Sequence, residues 1–263
     1  MKLRDIAKLL DHSVLQPWLT PDDIRRGCET ALKYDVATVC ARPGDMHLVT
    51  EALVGSEVLP CTVIGFPHGS SRPDVKLYEA GKALEDGCRE LDMVISIGQL
   101  LYGNNSLVAG EIASIADLAH QQGALLKVIL ETCYLTSEQK KLACRLSEEA
   151  GADFVKTSTG YGSAGATVED VILMRAAVSE RVRVKASGGS GKALFNTQNR
   201  SGGNRYEHFQ VSLRPGQRRP RHHQIYHDQY FRRLRFLYGL GCPLGGGLRA
   251  RPHRRPEGRG AGV

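Results

Sequence analysis

The chain repeats one unit, a short run of apolar and β-branched residues followed by a longer polar segment with helical spacing. The runs lie at 9–15, 36–41, 61–66, 91–97, 125–130, 154–156 and 182–185. Marker residues in successive runs are 25 to 35 residues apart, the length of one strand and one crossover helix. The repeat therefore predicts seven β/α units and a mainly parallel sheet.

Helix start signals lie between the runs. Thr20 precedes Pro21 and two acidic residues, an arrangement typical of an N-cap with proline at the first helical position. Residues 136–139 (TSEQ) match a capping box. These signals support helices between the predicted strands.

Seven units favour a closed (β/α)8 TIM barrel in which the eighth strand is missing or replaced. A doubly wound open sheet is the alternative. It predicts a Gly-x-Gly-x-x-Gly turn after the first strand, whereas residues 11–17 read DHSVLQP.

Charge divides the chain in two. Residues 1–189 carry a net charge of −5, whereas residues 190–263 carry +12, with 14 arginines. The strand–helix pattern stops at the same point. We therefore predict a barrel domain over 1–189 and a basic tail rich in Arg, Gly and His over 190–263.

Cysteine usage and the N-terminus predict a cytoplasmic protein. The seven cysteines are scattered, their number is odd, and no Cys-x-x-Cys occurs, which favours reduced thiols over disulfides or a zinc site. The first five residues (MKLRD) are charged where a signal peptide would be apolar. No apolar run approaches the roughly 20 residues of a membrane span.

Two lysines end predicted strands. Lys156 is the last residue of the sixth run, and Lys185 is the last residue of the seventh. Lowering a lysine pKa from ~10.4 to about 7 requires roughly 4.6 kcal/mol. A second ammonium ~5 Å away contributes about 3.3 kcal/mol of this, and partial burial can add the rest. Such a pair can supply a nucleophilic amine, and Asp92 on the fourth run could relay protons.

Each of these residues also has a structural interpretation. A lone lysine near a strand end usually reaches solvent, Asp92 could be an inner acid paired with a lysine, and Cys40 could be a small core residue. The combination favours chemistry, because Gly160, Gly188 and Gly189 follow the two lysines. Backbone amides in such turns can bind phosphate.

Six motifs in order resemble the deoxyribose-phosphate aldolase family of class I aldolases. They are Asp11-His12, 63–69 (VIGFPHG), 90–95 (ELDMVI), 127–132 (KVILET), 153–160 (DFVKTSTG) and 184–189 (VKASGG). The resemblance implies a TIM barrel and reversible cleavage of 2-deoxy-D-ribose 5-phosphate to D-glyceraldehyde 3-phosphate and acetaldehyde. It also implies a cytoplasmic role in deoxynucleoside breakdown, a homodimer or larger oligomer, and no metal or organic cofactor.

The resemblance also implies residue roles. Lys156 forms the Schiff base, and Asp92 and Lys185 carry protons, with Lys185 also lowering the pKa of Lys156. The implied substrate- and phosphate-binding residues are Gly160, Gly188, Gly189 and Thr157. The implied supporting residues are Asp11, Cys40 and Lys127.

The tail departs from this family, which continues into an eighth strand ending in a glycine- and serine-rich turn. The favoured interpretation is an out-of-frame reading of a GC-rich gene. A disordered basic tail, a nucleic-acid-binding arm with Tyr226, Tyr230 and Phe231, and a metal site at His222, His223 and His227 are the alternatives. Loss of the strand and turn predicts reduced stability and activity.

Two other functions remain open at this stage. Another Schiff-base barrel enzyme, of the transaldolase type, would share a lysine but not Asp92 and Lys185 in these motifs. An inactive barrel with a nucleic-acid-binding tail would show salt-dependent RNA binding that is lost with residues 190–263.

Overall fold

The computed structural model describes residues 3–188, which form an α/β structure with one seven-stranded parallel sheet. The strands follow chain order from β1 to β7. Their bounds are β1 Asp11–Val14, β2 Thr38–Ala41, β3 Leu59–Ile64, β4 Glu90–Val94, β5 Leu125–Ile129, β6 Phe154–Lys156 and β7 Arg183–Lys185. The seven predicted units are confirmed. The predicted loss of the eighth strand, the tail 190–263 and Gly189 all fall outside the described residues.

Helices connect the strands, as the right-handed crossover of a parallel sheet requires. Their bounds are α1 Leu3–Ala7, α2 Pro21–Tyr34, α3 Met46–Ala52, α4 Pro73–Glu85, α5 Ile97–Tyr102, α6 Asn105–Gln121, α7 Ser137–Glu149 and α8 Val168–Ala177. Two short 3-10 turns lie at Pro43–Asp45 and Thr132–Tyr134. Within residues 3–188, no helix combines the length and apolarity that crossing a lipid bilayer demands.

Both predicted helix starts are confirmed. Thr20 and Asp23 form a reciprocal capping box at the start of α2, and Thr136 and Gln139 form another at the start of α7. Each box satisfies backbone N–H groups that the first helical turn leaves without partners. These local bonds fix where two of the connecting helices begin.

The sheet is covered on both faces. All residues of β2, β4 and β6 are buried, as expected for parallel strands with helices outside and side chains packed inside. On the inner face, Cys40, Cys61 and Val63 form an apolar cluster against which Leu15 and Phe66 pack.

Strand register aligns the charged residues of the inner face. Asp92 lies opposite Lys127, and Lys156 lies opposite Lys185. Aligned residues in neighbouring parallel strands project to the same face, so these four side chains share the interior. Lys185 Nζ also lies 2.7 Å from Asp11 Oδ1. The curled sheet therefore brings the side chains of its first and last described strands into contact.

Candidate active site

Lys127 is the centre of the charged network inside the sheet. Its side chain is 1% exposed, and its Nζ lies 2.8 Å from Asp92 Oδ1 and 3.5 Å from Asp11 Oδ2. It also pairs with Glu90, two residues before Asp92 on β4. Burial alone would lower the pKa of Lys127, but the surrounding carboxylates raise it well above its usual value. Lys127 is therefore held as an ammonium.

Lys156, at the end of β6, binds the other oxygen of the same aspartate. Its Nζ donates to Asp92 Oδ2 at 2.5 Å, and both side chains are buried. Asp92 thus joins two ammonium groups, one on each carboxylate oxygen. Burial would raise the pKa of Asp92, but Lys127 and Lys156 together lower it, so the carboxylate stays ionised and able to accept a proton.

Lys185, at the end of β7, pairs with Asp11 on β1 and donates to Leu9 O at 3.5 Å. Burial would raise the pKa of Asp11, but the ammonium groups of Lys127, Lys185 and Lys156 hold it well below its usual range. Asp11 and Lys127, the predicted supporting residues, link the other three charged side chains. The five ion-paired residues follow in the order Lys185–Asp11–Lys127–Asp92–Lys156.

The expectation that Lys185 lowers the pKa of Lys156 is wrong for this resting arrangement. Burial lowers the pKa of Lys156, and so does the ammonium of Lys127, but Asp92 and the other negative groups outweigh them and raise it. The ammonium of Lys185 is bound to Asp11 instead. The sequence argument counted the neighbouring lysine but not the carboxylates that neutralise it.

Cys40 is fully buried beside Cys61 and Asp92, with the ligand atoms of the three within 4.8 Å of one another. Burial raises the pKa of the Cys61 thiol well above its usual value. Asp92 already binds two ammonium groups, so the field at this trio disfavours a cation. Cys40 thus lies in the wall of the site, and its supporting role stays a prediction.

Two of the predicted phosphate-binding glycines meet above the sheet. Gly160 and Gly188 have φ of 87° and 75°, in the left-handed region that glycine favours. A Cβ on Gly188 would lie 3.3 Å from Gly160 Cα and 3.1 Å from Gly165 Cα. The turns after β6 and β7 therefore pack backbone to backbone, which leaves no room for larger residues.

Thr157 ties these two turns together. Its hydroxyl accepts from Ser187 N at 3.0 Å and donates to Ser187 O at 3.1 Å, and its side chain is buried. The prediction of Thr157 as a ligand-binding residue is therefore revised. Its hydroxyl is occupied by the neighbouring turn, so it positions the site without facing a ligand.

Three further side chains surround the site, and the sequence reasoning assigned a role to none of them. Glu90 shares the inner face with Asp92, which the period of two along a strand could have indicated. Glu131 follows β5 and is 1% exposed. Tyr161 follows β6, packs edge-on against Phe66 with ring centroids 5.3 Å apart, and donates to Leu15 O at 3.1 Å. No sequence signal indicated these last contacts.

A small cleft with a cavity volume of about 40 Å³, partly open to solvent, lies at the carboxyl ends of β3 to β6. Its lining residues are Pro67, His68, Ile97, Glu131, Tyr134, Thr159, Tyr161 and Gly162. They belong to the loops that follow the strands, where catalytic groups gather in barrel enzymes. The cleft and the lysine network therefore share one end of the sheet.

Residues 6–201 match the family model described as DeoC/LacD family aldolase. The chain is similar to the deoxyribose-phosphate aldolase of Thermococcus gammatolerans, with 51% identity over 187 residues, 70% of this chain and 83% of that protein. The Thermococcus kodakarensis protein of the same name is 49% identical over 191 residues, 72% of this chain and 85% of that protein.

The solved structures that the chain resembles include aldolases as well. The chain resembles the tetrameric deoxyribose phosphate aldolase of Aeropyrum pernix with a TM-score of 0.67 and 34% identity, over 72% of this chain and 79% of that one. It also resembles the aldolase QR15 with a TM-score of 0.67 and 36% identity, over 70% of this chain and 82% of that one.

Proposed function

The chain belongs to the DeoC/LacD family of aldolases, and from this premise we propose that it cleaves 2-deoxy-D-ribose 5-phosphate reversibly through a Schiff base on Lys156. The products are D-glyceraldehyde 3-phosphate and acetaldehyde. The observation that carries the residue assignment is the contact between Lys156 Nζ and Asp92 Oδ2 at 2.5 Å inside the sheet.

Three lysines compete for the role of nucleophile, and their partners separate them. Lys127 contacts three carboxylates, so it remains protonated. Lys185 is paired with Asp11 across the sheet. Lys156 is paired with Asp92, a carboxylate that it shares with Lys127. Lys156 therefore has a proton acceptor in direct contact, and protonation of Asp92 still leaves Lys127 with Asp11 and Glu90 as counter-ions.

The first step is the formation of the imine. Lys156 passes a proton to Asp92, and the neutral amine adds to C1 of the open-chain aldehyde. The carbinolamine takes up a proton at its hydroxyl and loses water, which leaves a protonated imine. Positive charge then remains where the ammonium was, so the surrounding carboxylates stabilise the intermediate.

The second step breaks the carbon–carbon bond. A base removes the proton of the C3 hydroxyl, the electrons of the C2–C3 bond move into the imine, and D-glyceraldehyde 3-phosphate leaves. C2 of the resulting enamine then takes up a proton, and water hydrolyses the imine to free acetaldehyde and Lys156. Asp92 and Lys185 are the proton carriers in this proposal.

In this proposal the phosphate group lies against the turns that contain Gly160 and Gly188, whose backbones pack against each other. Positive φ at both glycines supports this placement. Gly189 is part of the same proposal but lies outside the described residues. Arginine or lysine side chains are not required for it, because backbone amides can bind phosphate directly.

Trapping of the imine tests the residue assignment. Borohydride added with acetaldehyde should convert Lys156 to its N-ethyl derivative, which peptide mass spectrometry locates. The variant Lys82→Met, at an exposed surface pair, is the matched control and should be trapped as efficiently. A main adduct on Lys127 or Lys185, or no adduct at all, would contradict the proposal.

We further propose a cytoplasmic role in deoxynucleoside breakdown and assembly into a homo-oligomer. Free cysteines at six positions among the described residues support a reducing compartment. The Aeropyrum pernix protein is a tetramer, which makes self-association the natural expectation. Residues 190–263 carry no match to the glycine- and serine-rich turn of the family, and we propose a lower turnover than in relatives that have it.

A further inference from the structure

Glu131 is a buried acid that the proposed chemistry does not use. It lies two residues after the end of β5, is 1% exposed, and has a φ of +54°. Left-handed backbone is uncommon for a residue with a side chain, and burial of a carboxylate is costly. Two unfavourable features at one position, beside the proposed active site, indicate that the side chain is needed there.

The carboxylate binds the loop that follows Lys156. Glu131 Oε2 accepts from Thr159 N at 3.1 Å and also from the Thr159 hydroxyl. Thr159 Oγ1 in turn accepts from Tyr161 N at 3.0 Å. A Cβ on Gly162 would lie 3.0 Å from Glu131 Oε1, so glycine is what lets the loop approach the acid. Glu131 thereby fixes the backbone from Thr159 to Gly162.

The opposite side of the loop is held by the turn after β7. Ser158 N donates to Ser187 Oγ at 3.3 Å, and Gly188 packs against Gly160. Residues 158–162 are therefore clamped between Glu131 and Ser187–Gly188. Removing one side of the clamp would let the loop move, so the backbone amides that we assign to phosphate binding would lose their position.

Lys156 itself is held by other means. Its strand pairs with β5 and β7, and its ammonium is bound by Asp92. Neither contact involves Glu131. Loss of Glu131 should therefore leave imine formation in place while it disturbs the loop.

We propose that Glu131 is a positioning residue that sets the loop 158–162 for binding of the substrate phosphate. This rests on the proposed function and deepens it. Glu131 does not touch the phosphate, because a carboxylate repels a dianion. It acts through Thr159, whose N–H and hydroxyl both point to the acid.

A pair of substrates separates this role from general damage to the fold. With 2-deoxyribose 5-phosphate, Glu131→Ala should raise KM roughly 10- to 100-fold, the loss expected for a charge-assisted hydrogen bond, with kcat changed by less than about 3-fold. With unphosphorylated 2-deoxyribose, kcat/KM should change by less than about 3-fold. Glu131→Gln keeps a carbonyl acceptor for Thr159 and should restore most of the KM.

Controls keep the result interpretable. Glu149→Ala removes an exposed glutamate and should leave KM for both substrates unchanged. If Glu131→Ala does not fold, Thr159→Val deletes the hydroxyl of the same contact and should also raise KM for the phosphorylated substrate alone. Equal losses on both substrates, or no change in KM, would overturn the proposal. Borohydride trapping on Lys156 tests the proposed function separately, since it needs no phosphate.

Discussion

Two buried clusters in this protein each contain a lysine and a carboxylate, yet they are built differently. Behind the loop that follows β3, Lys76 Nζ contacts Glu111 Oε2 at 2.9 Å, Val94 O at 2.9 Å and Ser96 Oγ at 3.2 Å. Inside the sheet, Asp92 is the one hydrogen-bond acceptor recorded for Lys156 within residues 3–188. The first ammonium is saturated and the second is not.

The pKa shifts of the two lysines run against the simple expectation for an amine nucleophile. Burial lowers the pKa of Lys76 more than Glu111 raises it, whereas the negative groups around Lys156 raise its pKa. A depressed pKa would thus select Lys76, which is 0% exposed and uses all three of its N–H donors. The N–H donors that Lys156 leaves unoccupied, rather than its resting pKa, distinguish it from Lys76.

The cluster at Lys76 has a structural role in the site. A Cβ on Gly65 would lie 2.8 Å from Lys76 Cε, and Ser96 Oγ contacts Gly69 O at 3.5 Å. The lysine therefore packs under the loop 65–69 that carries Phe66 and borders the cleft. One cluster supports the wall of the site, and the other contains the proposed catalytic residues.

The largest expected effect is at Lys156. Lys156→Met should reduce kcat by about 10⁴-fold or more, because no other described lysine combines a shared carboxylate with freedom to form the imine. Circular dichroism should show a folded protein, since Lys127 still neutralises Asp92. Lys82→Met should retain full activity. Residual turnover within tenfold of the parent protein would remove the distinction between the two clusters.

The second effect is on stability. Lys76→Met leaves the Glu111 carboxylate buried without its ion pair, which should cost about 3–5 kcal/mol of unfolding free energy. The double variant Lys76→Met, Glu111→Leu removes both charges and should recover much of the loss. Urea unfolding measures both. A double variant no more stable than the single one would show that the pair does not act as a unit.

Asp92 should show an intermediate effect on rate. Asp92→Asn keeps the shape of the side chain but removes the proton acceptor, so kcat should fall about 10²- to 10³-fold. The exposed Asp74→Asn is the matched control and should be neutral. Asp92 raises the pKa of Lys156, so the variant should hold more free amine at neutral pH, and trapping at saturating acetaldehyde should rise while kcat falls.

The last prediction concerns the pH dependence of imine formation, which needs no substitution. The pKa of Lys156 is raised above 10.5, so the fraction of free amine, and with it the trapping rate at saturating acetaldehyde, should rise about tenfold per unit from about pH 6 to about pH 9. Because the pKa of Lys156 is higher in the folded than in the unfolded protein, its protonation stabilises the fold fully at a pH below the unfolded pKa. This contribution is lost as the pH rises through the folded pKa. A flat profile would contradict the assigned pKa direction.

Much of the fold was predictable because its signals are local. Seven apolar runs became seven parallel strands, and the capping residues Thr20 and Thr136 begin the helices where the pattern indicated. The lysines of the site were predictable as well, since their motifs place them at strand ends. Their partners were harder to predict, because Asp92 and Lys156 are 64 residues apart in the chain.

The roles of two loop residues were not predictable for the same reason, because they also depend on contacts between distant parts of the chain. The sequence suggested that Thr157 faces a ligand, but its hydroxyl is bound by Ser187, 30 residues away. It also gave no reason to select Glu131, whose importance comes from a turn in left-handed backbone and from Thr159 across the site. Hydrogen-bond partners of loops depend on how two separate turns pack.

By itself, the sequence determined the parallel strand–helix repeat, the placement of lysines at the ends of β6 and β7, and the class of chemistry that such amines support. Only the tertiary structure decided which carboxylate each lysine meets and therefore the sign of the pKa shift at Lys156. The reason is that periodicity assigns a residue to a strand and a face, whereas electrostatics depends on distances between strands, and those are fixed by register and curvature.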